Sequence, residues 1–184
     1  MPVKKVANKT SKTGKKPKKK KTKLPAKLVK YLEAAGVSHE ILTHRTVYTA
    51  IDAANTLKRK MNEIAKSLLV KADKDYYLVL LPADHNLDFK KLAACISAQT
   101  ERQVKVVKIP GEKIMESALK VKAGAMSAFG GLHKVPVIID KGLVRAKKAV
   151  FSAGSHNHSV EMAVKDFIDL EKAVPGTIGV KKKI

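Results

Sequence analysis

Few residues in this sequence have the types and spacing that chemistry needs. Lys66 enters an apolar run, Ala65-Lys66-Ser67-Leu68-Leu69-Val70, that has no helical spacing and reads as a strand. A lysine held by the backbone of a core strand can have its ammonium fixed relative to a cleft. In a chain this rich in lysine most ammonium groups are solvated surface, so Lys66 needs other residues to single it out. A second stretch, Gly124-Ala125-Met126-Ser127-Ala128-Phe129-Gly130-Gly131, is too small and glycine-rich for a core element. Such a loop lets a ligand approach the backbone, whose successive N–H groups can face an anion or a carbonyl oxygen. A third stretch, Ser152 to Ser159, places His156 and His158 at i and i+2. A metal site needs a third ligand, and there is no His-Glu-x-x-His, no Cys-x-x-Cys and no carboxylate cluster, so neither a metal nor another cofactor is expected. Serine-hydrolase elbow, Walker loop and dinucleotide fingerprint are also missing, which leaves nucleophilic serine hydrolysis, nucleotide hydrolysis and hydride transfer without support.

The elements that must position these residues can be read in order. Leu68–Val70 and Tyr76–Leu81 are two apolar runs joined by the polar turn Asp73-Lys74-Asp75, which makes a hairpin from a core sheet. Before it, Pro25 and Gly36 bracket an amphipathic helix over residues 25 to 35, and Val37 to Leu42 alternates as a strand. Thr49-Ala50-Ile51-Asp52 opens a second helix, and Lys58, Arg59 and Lys60 near its end either complement its dipole or contact RNA. After the hairpin, Asn86 is placed to cap a helix from Leu87 to about Ala98. A strand over Val104 to Ile109, a short helix over Glu112 to Leu119 and a buried strand over Val135 to Asp140 follow. Strands at Ala149 to Ala153 and Ser159 to Val164 and a helix from Asp166 to Ala173 close the chain. The expectation is an α+β domain with one mixed, strongly curved, barrel-like sheet of about six or seven strands flanked by helices.

Charge divides the chain differently. Residues 1 to 23 hold eleven lysines, Lys18, Lys19, Lys20 and Lys21 among them, and no acid, which is half of the formal +22. A segment with so little apolar content and so much self-repulsion is expected to be a disordered arm that binds a polyanion, most plausibly RNA, by counterion release. The division expected is this arm, a domain over residues 24 to 175, and a basic tail over 176 to 184. Cys95 alone excludes a disulfide framework and reads as a small buried residue. No apolar run approaches the length of a membrane span and no secretory h-region opens the chain, so a cytoplasmic protein without a membrane partner is expected.

Taken together, Ala-Lys-Ser-Leu-Leu-Val-Lys-Ala-Asp, then Leu-Asp-Phe-Lys-Lys-Leu-Ala, Gly-x-x-x-Ala-Phe-Gly, Val-Pro-Val-Ile-Ile-Asp and Ser-Ala-Gly-Ser-His-Asn-His-Ser resemble, in order and spacing, the YbaK-like family of aminoacyl-tRNA deacylases. That family includes the editing domain of bacterial prolyl-tRNA synthetases and its free-standing relatives. The resemblance covers roughly residues 25 to 173. It implies that Lys66 holds the terminal adenosine end of a charged tRNA, and that Gly124, Ala125, Met126, Ser127 and Ala128 form the loop whose N–H groups contact the aminoacyl carbonyl. Gly154 matches a family glycine, and His158 is similar in place to a histidine of the editing domains. The family's loop carries proline where this chain has Ala128, which implies that proline is compatible with that position. The implied activity is metal-independent hydrolysis in trans of a mischarged aminoacyl-tRNA, with a small amino acid such as alanine or cysteine, on tRNA(Pro). Aminoacylated tRNA and prolyl-tRNA synthetase are the implied partners. The alternative is a non-catalytic RNA-binding or synthetase-associated module on the same fold.

The arm and the chemistry are separable by experiment. Removing residues 1 to 23 is expected to weaken tRNA binding, flatten its salt dependence and raise KM, because each lysine–phosphate contact releases counterions without reading sequence. The saturated rate and the preference among aminoacyl groups are expected to stay nearly unchanged, as steady-state kinetics at several salt concentrations would show.

Overall fold

The computed structural model describes residues 24–111, 113–114 and 126–182. Helix α1 (Ala26–Ala35) ends where Gly36 takes a left-handed conformation, as its sequence demands. Strand β1 (His39–Thr43) leads to α2 (Ala50–Leu57), where Thr49 Oγ1 accepts from Asp52 N–H at 3.0 Å. The central hairpin is β2 (Ala65–Ala72) and β3 (Asp75–Pro82), paired residue for residue from Ala65–Pro82 to Ala72–Asp75. Strand β4 (His85–Leu87) precedes α3 (Phe89–Thr100), and β5 is only Val107–Lys108. A 3-10 turn at Gly130–His133 leads to β6 (Val137–Asp140) and the short α4 (Lys141–Val144). Strands β7 (Lys148–Ser155) and β8 (His158–Ala163), helix α5 (Val164–Glu171), then β9 (Val174–Gly176) and β10 (Gly179–Lys181) complete the described chain.

The strands do not form one curved barrel-like sheet of six or seven. They form a five-stranded mixed sheet in the order β5-β2-β3-β6-β9, a three-stranded antiparallel sheet β1-β8-β7, and the pair β10-β4. The class remains α+β with mixed pairing, since β3, β6 and β9 run parallel while β2 pairs antiparallel on both sides. The physical reason for open layers is that the hairpin is buried on both faces. Leu69, Leu78 and Leu80 point toward Phe151, Val160, α1 and α5, whereas Val70, Val79 and Leu81 point toward Leu92, Ile96 and Ile178. Each face is covered by a separate layer, so the sheet stays open and has no need to close on itself.

Other departures have local causes. The cap of α3 is Asp88, not Asn86, because the Asp88 carboxylate accepts from the N–H groups of Lys90 and Lys91 at 3.0 and 3.1 Å. Asn86 instead sits opposite Val180 in a ladder. The strand expected over Val104 to Ile109 shrinks because the Asp73 carboxylate takes the N–H of Val106 at 2.9 Å and that of Lys105. Most of the helix expected over 112 to 119 lies outside the described residues.

Three of the four phenylalanines fill the space between the two larger sheets. Phe151 and Phe167 stack at 4.0 Å, and Phe129 meets Phe167 edge-on at 5.5 Å. Tyr31 adds a polar latch: its hydroxyl donates to Glu171 Oε1 at 3.0 Å while Gly131 N–H donates to Oε2 at 2.8 Å. A Cβ at 131 would lie 2.3 Å from the Tyr31 oxygen, so a side chain there would have to push the tyrosine out of this latch. Burial and Glu171 push the Tyr31 phenol up to about 12.

At the other end, Asp140 is 4% exposed and accepts from the N–H groups of Gly142, Ile178 and Gly179 at 2.7, 2.9 and 2.8 Å. This one carboxylate fixes both the start of α4 and the entry to β10. Asp140→Ala strands three donors, and because hydrogen bonds to charged groups are the strong kind, a loss of about 3 kcal/mol in urea-unfolding stability is expected.

Candidate functional site

Strand β2 is paired unevenly. Along one edge it meets β3 over its whole length, but along the other, among the described residues, only Lys71 and Ala72 are paired, with β5. Alternate N–H and C=O groups of the first half of β2 therefore face away from β3 with no strand of the described residues beside them. Just before this bare edge, Ile64 bridges to Val150 of β7. The two strands start together there and belong to different sheets, which leaves a cleft between them. A cavity of about 380 Å³ occupies it, floored by Ile64 to Leu69 and walled by Val150, Ser152, Ser155 and Ser159. The start of α2 closes one side with Val47, Tyr48, Thr49, Ala50 and Ala53, and Met126 and Ile109 close the other. The volume suits a small ligand.

Lys66 lines this cavity, as its position in the strand suggested. Its ammonium donates to the carbonyl of His85, so the head is held by backbone. Burial pushes it below the ordinary lysine value, Lys182 pushes the same way, and Asp84 opposes them. The next residue was not singled out by sequence. Ser67 also lines the cavity, and among the described residues its buried hydroxyl has no hydrogen-bond partner. A buried orphan hydroxyl is costly, so at a cavity wall it marks a place where a ligand group can complete it. The available signal was a hydroxyl inside an otherwise apolar strand.

The remaining predicted residues divide between cavity, support and elsewhere. Met126 is a wall; Ser127 and Ala128 are buried behind it. The Ser127 hydroxyl accepts from Phe129 N–H at 3.2 Å, and Ala128 N–H donates to Ser152 O at 2.9 Å. Proline at 128 would remove that donor, so the implied exchange with proline is not neutral in this chain. Gly124 and Ala125 lie outside the described residues, as do Lys18, Lys19, Lys20 and Lys21. Gly154 has φ 76°, and its N–H donates to the Ser152 hydroxyl at 3.3 Å. It turns β7 through the irregularity between Ser152 and Ser155, which sets two of the cavity's hydroxyls.

His158 stands one layer back. It is 7% exposed, and its Nδ1 lies 3.1 Å from the Ser155 hydroxyl. His44, also missed by the sequence reading, supports Ser159. Its Nδ1 lies 2.8 Å from the Arg45 carbonyl, which can only accept, so Nδ1 carries the proton and Nε2 accepts from the Ser159 hydroxyl at 3.0 Å. At the mouth, Tyr48 is 71% exposed with its ring 5.1 Å from that of His156. Lys58, Arg59 and Lys60 do not reach this cavity. Arg59 pairs with Glu161 at 2.6 Å in a separate, more polar groove of about 480 Å³ that also exposes Arg145, Lys147 and Lys148. Among the described residues no group of three His, Cys, Asp or Glu side chains is placed to hold a metal, and no helix is long and apolar enough to cross a membrane.

Burial, and then His44, hold the His158 imidazole below its ordinary value of 6.5. In the window from that lowered value up to 6.5 the unfolded chain binds more protons than the folded one, so stability rises with pH there and is lost on acidification. An NMR titration is expected to place the His158 midpoint below 6.5, and the corresponding slope in unfolding free energy is expected to vanish in His158→Asn.

Comparison with known proteins agrees with this geometry. Residues 44–170 match the model of the aminoacyl-tRNA editing domain. The chain is 27% identical over 144 residues to a proline–tRNA ligase of Thermosipho melanesiensis, an alignment that takes in 74% of this chain and 24% of the ligase. The chain thus corresponds to about a quarter of that relative's length. Among solved structures, a candidate trans-editing enzyme for prolyl tRNA synthetase superposes with a TM-score of 0.70 at 19% identity, covering 88% of this chain and all of the other. A hypothetical protein of known crystal structure gives 0.71 at 19% identity over 84% of this chain and 99% of its own. At such identities the structures speak for the fold, and the matched residues speak for descent: the chain belongs to the aminoacyl-tRNA editing domain family, the YbaK-like deacylase group.

Proposed function

We propose that the cleft beside β2 hydrolyses the ester between a small amino acid, such as alanine or cysteine, and the 3′ end of a mischarged tRNA, with tRNA(Pro) as carrier and prolyl-tRNA synthetase as the enzyme whose errors it removes. The observation that carries this reading is that a backbone-held ammonium, Lys66, and a hydroxyl without a partner among the described residues, Ser67, both line a small, largely apolar cavity floored by β2. Family membership supplies the reaction class, and the proline–tRNA ligase relative favours the carrier.

The chemistry asks little of the protein. An aminoacyl ester is already activated, so holding a water near its carbonyl carbon and stabilising the developing oxyanion suffice. Water adds to the carbonyl carbon, the bond to the ribose oxygen breaks, and the protons of the water end on the ribose hydroxyl and in solvent, leaving the free amino acid carboxylate. Lys66 offsets phosphate charge at the tRNA end. The N–H groups of residues 124 to 127 are the donors that the family resemblance offers for the oxyanion, together with those N–H groups of β2 that no described strand pairs; the Ala128 N–H is already taken by Ser152 O. Tyr48 at the mouth offers a face on which a terminal base can stack. The serine wall, with Ser159 donating to His44, presents acceptor lone pairs to an α-ammonium. Size exclusion against Met126 and Leu69 separates small from large amino acids by only about 1–3 kcal/mol per methylene-scale difference, which suits a second sieve downstream of a synthetase.

Incubating the protein with a panel of mischarged tRNAs tests the reading directly. Release of a small amino acid is expected, and Lys66→Met, which keeps the apolar stem, is expected to lower the rate by about tenfold to a hundredfold. Ser67→Ala is expected to lower activity while leaving stability unchanged or slightly raised, since it deletes an unsatisfied buried hydroxyl. Full activity in Lys66→Met would end the proposal.

A further inference from the structure

The family match ends at residue 170, before β9 and β10 begin. Those last strands are nonetheless built into the site. Strand β10 pairs with β4 so that Lys181 lies opposite His85, and the next residue, Lys182, donates its N–H to Asp84 O at 2.8 Å. The carbonyl of His85 is the one that holds the Lys66 ammonium. Backbone pairing alone therefore brings the basic C-terminal segment to the residues that anchor Lys66.

The charges there are unbalanced. The nearest carboxylate, Asp84, is engaged by His85 Nδ1 at 2.7 Å and stands 4.0 Å from Lys181 Nζ. Among the described residues neither Lys66 nor Lys182 has a carboxylate within ion-pair distance. Two ammonium groups, one of them half-buried, stand on neighbouring backbone; Lys182 is felt at Lys66 as a repulsion, and the attraction of Asp84, which His85 also engages, is outweighed there. Like charges brought together by backbone cost free energy unless an anion shares them. The entry to β10 is itself pinned by the Asp140 carboxylate, so the backbone that carries Lys182 is held by the fold.

We propose that β10 carries the second half of a phosphate-binding site whose first half is Lys66, and that Lys66 and Lys182 together hold a phosphodiester of the RNA end entering the cavity. Lysine ammoniums bind phosphate as point charges, so two of them from different strands fix its position better than one. The RNA assignment rests on the deacylase reading above; the paired-ammonium site does not.

The test uses the full chain and the dinucleotide cytidylyl-adenosine, which carries one phosphodiester, with adenosine as the phosphate-free control and inorganic phosphate as the free anion. In NMR-monitored titrations Lys182→Ala and Lys66→Met are each expected to weaken the dinucleotide about fivefold or more, Lys182→Arg to retain it, and adenosine binding to stay unchanged. Thermal unfolding of Lys182→Ala is expected to match the parent, since its N–H still reaches Asp84. If dinucleotide affinity is indifferent to Lys182→Ala in a folded protein, the site is overturned, even if mischarged tRNA is hydrolysed. If inorganic phosphate binds as tightly as the dinucleotide, the RNA assignment is overturned. If both lysines govern dinucleotide binding while no mischarged tRNA is hydrolysed, the site stands and the deacylase reading falls.

Discussion

The half-paired state of β2 among the described residues is the constraint on which the rest depends. A strand with a free edge inside a folded domain leaves backbone donors and acceptors that must be met by water, by a neighbour or by a ligand. Here the edge is held open because Ile64 and Val150 bridge once and the strands they belong to then join different sheets. Had β7 continued alongside β2, the sheets would have merged and the cavity would have been filled by a ladder. The irregularity at Ser152–Ser155, with Gly154 at positive φ, re-aims β7 at the point where the two strands would otherwise stay parallel neighbours. Met126 to Phe129 then packs along β7 through the Ala128–Ser152 bond, which closes the far wall without closing the edge.

Much of this was legible in the sequence, for reasons that can be named. The hairpin around Lys66 was readable because its apolar runs have no helical period and are separated by a polar turn with Asp73 at positive φ. Thr49 and Gly36 announced helix ends by chemistry that acts within three residues. Lys66 stood out because it enters an apolar strand, and Met126 because it lies in a stretch too small and glycine-rich for a core element. What was not legible depends on long-range pairing. Burial of the hairpin on both faces looks, in sequence, the same as the wall of a barrel, and only the placement of α3 against Val70 and Leu81 decides between them. Ser67 becomes notable only when its neighbours are known to leave it without a partner. His44 and Ser159 are 115 residues apart, and no local pattern joins them. Asn86 and Asp88 are both good caps, and pairing of β4 with β10 settled the competition.

The division of labour within the site follows the same split. Residues that touch the cavity sit on β2, β7, Ser159 of β8, the start of α2, Ile109 and Met126, whereas those that hold its serines, Gly154, His158 and His44, lie behind. Supporting groups of this kind make a site precise without appearing in it. The separate Arg59 groove shows that positive charge alone does not mark the chemistry: Lys58 to Lys60 form a basic stretch, yet the groove that Arg59 lines shares only Val150 with the cavity.

Helix α1 lies ahead of the segment by which the family is recognised, yet Leu28 and Leu32 are wholly buried and Tyr31 packs against Phe129. Ile178, after that segment, is equally buried, and the backbone beside it supplies two of the donors that satisfy Asp140. A fragment trimmed to the recognisable residues would bare an aromatic cluster on one side and leave a carboxylate short of donors on the other. Homology is densest where chemistry restricts the choice of residue; cooperative folding draws equally on segments that can drift in sequence as long as they remain apolar. The unit that evolution keeps legible is therefore smaller than the unit that has to be synthesised before any of it is stable.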